Sequence, residues 1–505
     1  MDYSLFIWSV VTFIEQRIKA NIDYKELESS TGFSYRHIRE TFRQCTNHTL
    51  SNYILSRKIA NAAFDIIHTY KSITDIAVDY GFESYDTFTR AFKRHTGITP
   101  ISFRNGSYQV GRRILAVGVY GPAILKKGSN LLLLTEIMEV CINMKDSIKT
   151  DNSCILFGVP KVEYCFEEGT PFISSLKSCL NYMGQTIDYA YLMAASGAAF
   201  RLRWNLNTWD GGNIDTMCIY EDKFEAFKRS FEAAGREYKL LSREGTDKET
   251  FITFIKDQIN SGRPVIALGI IGPPEACIIT GYDNDGETLL GWNFFQNNSE
   301  FAKDIKFHET GYFICDNWWE NPSTVGVISI GEDMNQLVSQ KDILINGIDI
   351  MTNNKVIKID HYNHNKLEYA GGQAAYDAWA KAIGNDKEFS PKAILPILSE
   401  RIMCQNDAQC MVGEGRSYAA IFLDWVGKTN EKIERDCSLA ANHFRKSANC
   451  TFKMNEVKGG FEQNEASIRK FAEPEVREKI VSLIIEAKEN EAKACEVLKS
   501  IVNKL

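Results

Sequence analysis

Arg90, Lys93 and Arg94 belong to a short stretch, "SYDTFTRAFKRHTG", that also sets Phe88 and Phe92 four residues apart. Helical spacing puts the two phenylalanines on one face. Ser84 stands where a hydroxyl caps the first turn. Tyr85, Asp86, Thr87 and Arg90 then fall on or near the opposite face. Such a row of guanidinium, hydroxyl and carboxylate groups can reach base edges and the sugar–phosphate backbone. A second row lies upstream in "FSYRHIRETFRQ", where Ser34 precedes Ser84 by 50 positions. There Ile38 and Phe42 turn inward, while Tyr35, Arg36, His37 and Arg39 turn outward. Arg43, Lys93, Arg94 and Arg104 suit phosphate contacts, which position a protein and make binding salt-dependent. Phe42, Phe82, Phe88 and Phe92 are read as core, since their spacing places them on apolar faces.

These rows need elements to hold them. Ser72 can cap a first helix with Ile73, Ile76 and Ala77 inward. Gly81 then permits a positive φ at the turn into the second helix, and Gly97 ends it. Upstream, Leu27 and the Gly32–Phe33 turn repeat the arrangement. Between the two, "HTLSNYILSRKIANAAFDIIHTY" has a helical apolar period and reads as a rigid linker. Two helix-turn-helix units on one linker fit successive major-groove faces about 34 Å apart.

The stretch "DIAVDYGFESYDTFTRAFKRHTGITPISFR", with "FSYRHIRETFRQ" and "YILSRKIANAA", resembles the AraC/XylS family of transcription regulators over about residues 5 to 106. The resemblance implies an all-α double helix-turn-helix domain, residues 1–106, that binds double-stranded promoter DNA. RNA polymerase is an expected further partner, with activation and repression both open. Asn47 replaces the glycine usual after the first recognition helix, and Asn tolerates the left-handed conformation. The family usually places this module last, whereas here it comes first.

The rest of the chain has a different character. Residues 1–105 hold 13 Lys/Arg and 11 Asp/Glu, while the remainder holds 45 and 54. Opposite net signs suggest two jobs. A length of 505 residues predicts two to four domains. Hydrophobic residues at 44% and charged residues at 24% exclude a disordered chain. The 13 cysteines are scattered without a Cys-x-x-Cys pair, so no metal or redox motif and no cofactor is expected. A reducing cytoplasm with free thiols follows as the expectation. The apolar runs "LFIWSVVTFI" and "NLLLLTEIMEV" are too short to span a bilayer, and no membrane partner is expected.

Residues 107–153 read as a connecting segment. From Cys154 the pattern becomes strand, loop and helix, with Leu176, Leu180 and Met183 inward. Strand-like "RPVIALGII", "ACIITGYD" and "TLLGWNFF" follow, with Asp285–Gly286 as a hairpin signal. The expectation for 154–330 is an α+β domain. The spaced pattern "TPFISSLKSCLNYMGQ", "RPVIALGI" and "EACIITGYDNDGETLLGWNFF" is similar to the papain-like fold of bacteriocin-processing peptidases. It is closer to the BtrH-type aminoglycoside acyltransferase domain of butirosin biosynthesis. The resemblance calls for a Cys opening the helix, a His starting the strand before "GYD", and an Asp or Asn after the next strand. Here Thr170 opens the helix, Glu275 takes the His position, and Asn293 alone fills its place. No histidine occurs between His95 and His308. Cys165 lies too early, and Cys179 sits in the helix interior.

The reading is therefore a cleft kept without its catalysis. Glu168, Thr170, Trp204, Trp209, Glu275, Trp292 and Asn293 are its candidate ligand-binding residues, with Glu167, Asp210, Asp215, Asp316, Trp318 and Trp319 nearby in sequence. Aromatic walls with carboxylates suit a cationic, partly apolar small-molecule effector. Glu275 is expected inside an apolar strand, where a carboxylate needs a partner. Residues 331–505 read as a mainly helical extension that packs on this domain or forms a homodimer contact. Ala375, Trp379 and Ile383 share one stripe, and Val476, Ile480, Leu483, Ile484 and Ala487 another. The combined expectation is a multidomain, ligand-responsive regulator rather than an enzyme. The competing classes are a cysteine-dependent acyltransferase or peptidase using Cys165 or Cys179, and a DNA-binding module recruited by a protein through its C-terminal helices.

Overall fold

The computed structural model describes residues 10, 13–14, 17–19, 22–46, 49–68, 71–96, 99–105, 147–164, 168–209, 216–298, 300–303, 305–308, 310–334, 338–360, 366–390, 393–460 and 464–505. Cys165, Glu167, Asn47, Gly97, Asp210, Asp215 and most of the connecting segment lie outside them.

The helices bounded within residues 22–105 are α1 (Tyr24–Thr31), α2 (Tyr35–Thr46), α3 (Leu50–His68), α4 (Ile73–Asp79), α5 (Tyr85–Thr96) and α6 (Pro100–Asn105). Short polar side chains start them. Asp23 accepts from the Lys25 N–H at 2.8 Å, Ser72 from Asp75 at 3.0 Å, and Ser84 from Thr87 at 3.1 Å. Gly32 and Gly81 close α1 and α4 at φ of +73° and +70°. At the second of these the Phe82 N–H reaches the Ala77 carbonyl at 3.0 Å, the wide hydrogen bond of a left-handed helix end. Leu27, Ile38, Phe42, Ile76, Phe88, Phe92 and Phe103 are buried. Each such side chain contributes about 1.5–3 kcal/mol by leaving water. The 50-residue repeat is structural as well as sequential. Phe42 meets Tyr53 at 5.3 Å between ring centroids, and Phe92 meets Phe103 at 5.3 Å.

The remainder alternates helices and strands. In order they are β1 (Ser147–Lys149), β2 (Cys154–Leu156), α7 (Pro171–Tyr182), α8 (Tyr189–Ala195), β3 (Arg203–Asn205), α9 (Glu225–Ala234), β4 (Arg236–Ser242) and α10 (Lys248–Asn260). Then come β5 (Val265–Leu268), β6 (Ala276–Asp283), β7 (Thr288–Trp292), β8 (Lys306–Phe307), β9 (Phe313–Cys315), β10 (Gly326–Asp333), α11 (Gln340–Thr352), β11 (Ile357–Asp360), β12 (Lys366–Gly371) and α12 (Gly372–Ile383). After them, among the described residues, come α13 (Leu395–Thr429), α14 (Glu431–Lys458), α15 (Glu465–Phe471) and α16 (Pro474–Lys504).

Two compact units result, and they interleave along the sequence. The first comprises Met1–Gly169, Ser178–Thr186 and Arg243–Val327. It holds α1–α6 and an antiparallel sheet in which β5, β6, β7, β9 and β8 are successive neighbours and β2 also pairs with β6. The hairpin expected at Asp285–Gly286 joins β6 to β7, with Asn284 and Asp285 both at positive φ. Gly291 sits where a Cβ would come within 1.8 Å of the Ile278 carbonyl, so no other residue fits that crossing. The second unit comprises Thr170–Lys177, Ile187–Ser242 and Ile328–Leu505. It is built on α12, α13, α14 and α16, with a three-stranded antiparallel sheet of β11, β12 and β3. Ala375, Trp379 and Ile383 are fully buried there, as are Ile480, Ile484 and Ala487, while Leu483 is half-buried.

Two local expectations need correction. Glu275 does not lie within a strand. It is half-buried just ahead of β6, because Pro273 and Pro274 cannot donate to a ladder and delay the strand until Ala276. Met183 is half-buried rather than inward, because α7 ends at Tyr182 and Gly184 turns the chain at φ +88°.

Candidate nucleic-acid interface

On α2, Arg36, His37, Arg39 and Arg43 are exposed and Tyr35 is half-buried. On α5, Ser84, Asp86, Thr87, Arg90, Lys93 and Arg94 are exposed and Tyr85 is half-buried. Each helix has twelve residues and buries the side opposite these groups. Several groups are preorganised. The His37 ring stacks on Phe33 at 5.0 Å, and its Nε2 lies 3.4 Å from the Thr41 hydroxyl. The Arg39 guanidinium sits 5.6 Å above the Tyr35 ring. That ring packs 4.3 Å from Tyr24, and burial pushes its phenol up from 10.0. On α5 the Ser84 and Thr87 hydroxyls are 2.9 Å apart, and Arg90 Nε donates to the Asp86 carbonyl at 3.4 Å.

Arg104 does not join this surface. Its Nε donates to the Ile66 carbonyl at 3.1 Å and its Nη2 to the Lys71 carbonyl at 2.6 Å. The guanidinium is used to tie α6 to the end of α3, so the phosphate role expected for it is replaced by an internal one.

A family model described as a helix-turn-helix domain matches residues 27–106. The multiple antibiotic resistance protein MarA of Escherichia coli is 30% identical over 112 residues, which cover 22% of this chain and 88% of MarA. The regulatory protein SoxS of Escherichia coli is 30% identical over 105 residues, covering 21% of this chain and 98% of SoxS. The chain belongs to the AraC-type helix-turn-helix family. Similarity to the transcriptional regulator Rob of Salmonella typhimurium is 31% over 107 residues, and this chain spans 37% of Rob's length. An AraC-type regulator structure from Chromobacterium violaceum has 25% identity and a TM-score of 0.20, covering 20% of this chain and 91% of that one. The AraC-type domain is thus the N-terminal part of a multidomain chain whose C-terminal region has its own sheets and helices.

Beyond the AraC-type domain, the candidate ligand-binding residues fall in both units. In the first unit, Glu168 is half-buried ahead of α7 and Glu275 is half-buried ahead of β6. Trp292 is buried, donates from Nε1 to the Val159 carbonyl at 2.9 Å, and meets Tyr312 edge-on at 4.9 Å. Asn293 is buried, donates to the Gly269 carbonyl at 3.1 Å, and accepts from the Phe295 N–H at 2.7 Å. Cys179 is fully buried, and burial drives its thiol far above 9.0, away from a reactive thiolate.

In the second unit, Trp204 is buried against Trp379 at 6.1 Å and Trp209 at 5.5 Å. Trp209 donates to Glu388 at 3.1 Å and carries the Arg401 guanidinium 5.0 Å above its ring. The cation on that indole is the chain's own. Thr170 is buried at the mouth of α7, where Glu414 of α13 receives it. Glu414 accepts from the Thr170 hydroxyl at 2.9 Å, from its backbone N–H at 3.2 Å, and from the Tyr189 hydroxyl at 2.7 Å. Arg201 adds a donor to the Thr170 hydroxyl at 3.1 Å. A carboxylate at a helix N-terminus is favoured by the helix dipole. Sequence reasoning missed Glu414, Tyr189 and Arg201 because Glu414 lies 244 positions from Thr170 and carries no local motif. Among the described residues, no group of His, Cys, Asp and Glu is placed to hold a metal, and no helix is long and apolar enough to cross a membrane.

Proposed function

We propose that this protein is a cytoplasmic one-component transcription regulator. Its α2 and α5 enter double-stranded promoter DNA, and its residues 154–330, with the helical extension 331–505, sense a small molecule without altering it. The observation that carries the DNA half is the pair of twelve-residue helices, 50 positions apart, each presenting arginines on the side opposite a buried phenylalanine. Tyr35, Arg36, His37, Arg39, Tyr85, Asp86, Thr87 and Arg90 are the proposed base and backbone contacts. Arg43, Lys93 and Arg94 are the proposed phosphate contacts. The effector shifts the placement of the DNA-reading units or of two protomers, and so changes promoter affinity and access by RNA polymerase.

The ligand half is supported by carboxylates such as Glu275 that are only half-buried beside apolar strands. A cationic, aminoglycoside-like compound is the proposed ligand class. A gel-shift series at rising salt, on duplex from the intergenic region upstream of the gene, tests the DNA half. Failure to bind at low ionic strength refutes it. Melting shifts of wild type and Glu275→Gln with an aminoglycoside panel test the other half, and equal shifts remove Glu275 from the site. An enzymatic reading through Cys179 predicts fast thiol labelling at neutral pH. The burial of that thiol supports slow labelling instead.

A further inference from the structure

The linker helix α3 carries a buried carboxylate. Asp65 of α3 is 3% exposed, an expensive place for a carboxylate unless it is partnered. Its Oδ2 accepts from Lys19 Nζ at 2.6 Å and from the Tyr80 hydroxyl at 2.9 Å. The same ammonium sits 5.1 Å above the Tyr80 ring. Tyr80 itself is fully buried at the end of α4. Three segments therefore converge on one carboxylate: the chain ahead of α1, the linker helix, and the turn of the second helix-turn-helix. Arg104 ties α6 to Ile66 and Lys71, within six residues of Asp65.

Consider what this does for recognition. Two DNA-reading units on one linker gain from each other only when their separation and phase match the groove. A loose linker lowers the effective concentration of the second unit while leaving each unit's own contacts intact.

We propose that Asp65 is a positioning residue for DNA binding: through the Lys19–Asp65–Tyr80 node it holds the linker helix in one orientation toward both units, and so sets the half-site spacing the protein accepts. The proposal rests on the DNA-binding reading above.

The test uses the full chain and a duplex selected from a random library by the wild-type protein. Variants of that duplex carry one to five inserted base pairs between the half-sites, or one scrambled half-site. Asp65→Asn keeps the shape and an acceptor for Tyr80 but removes the charge. Tyr80→Phe removes only the hydroxyl. Circular dichroism checks that both variants fold. Both should bind the intact duplex about tenfold more weakly, the scale of one lost hydrogen bond to a charged group. Their affinity for single half-sites should stay at the wild-type value, and their spacing optimum should flatten. Equal losses on full and half-sites, a wild-type spacing profile, or variants that do not fold would each overturn the positioning role. If the wild-type chain enriches no duplex at all, the DNA-binding reading itself fails, and that outcome is distinct from the others.

Discussion

Arg94 stands exposed in the last turn of α5, three positions past Ala91 and on the flank that carries Arg90 and Lys93. If it meets a phosphate, its removal has a signature that a lost base contact does not share. Each neutralised phosphate contributes about −0.9 to the slope of log K against log salt. Arg36, Arg39, Arg43, Arg90, Lys93 and Arg94 are the exposed cations of the two recognition helices. If all six met phosphates, the wild-type slope would be about −5. Arg94→Ala should shift the slope by about 0.9 toward zero, so the ratio of wild-type to variant affinity should shrink about 3.5-fold between 50 and 200 mM salt. Fluorescence anisotropy with one labelled duplex at five salt concentrations measures this. Parallel lines for the two proteins would refute the phosphate assignment, and a variant line steeper than wild type would refute the reasoning behind it.

Other outcomes follow from the same geometry. Ser84→Ala removes the acceptor for the Thr87 N–H and should cost about 1 kcal/mol in urea unfolding, with weaker DNA binding. Glu491→Gln should cost about 3–5 kcal/mol, because it leaves the fully buried Arg416 without its counter-charge. Replacing both residues, as Arg416→Met with Glu491→Leu, should cost less than the single change, and a double-mutant cycle in urea measures the difference. Burial raises the Asp407 carboxyl from 3.8 to about 7, so the folded state holds a proton that the unfolded chain releases between those values. Stability should therefore fall as pH rises from about 4 to about 7, and Asp407→Asn should flatten that part of the urea midpoint profile.

The helices of the AraC-type domain were legible because their signals are local. Ser72 and Ser84 cap the helices they were expected to start, Gly81 takes the positive φ the turn needs, and Phe88 and Phe92 are buried together. The β6–β7 hairpin was legible for the same reason, since Asn284, Asp285 and Gly286 tolerate left-handed backbone. Glu275 falls outside β6 because the apolar run that surrounds it in sequence includes Pro273 and Pro274, which cannot donate to a ladder. Arg104 could not be assigned from sequence, because charge alone does not say whether a guanidinium meets a phosphate or a carbonyl.

By itself the sequence determined the pair of helix-turn-helix units, their 50-residue offset and the residues each turns outward, because period, cap and turn chemistry act over a few positions. Only the tertiary structure decided that Asp65 gathers Lys19 and Tyr80, and that Glu414 reaches across 244 positions to hold Thr170. A buried charge chooses its partner by distance in space, and that distance exists only after the chain has folded.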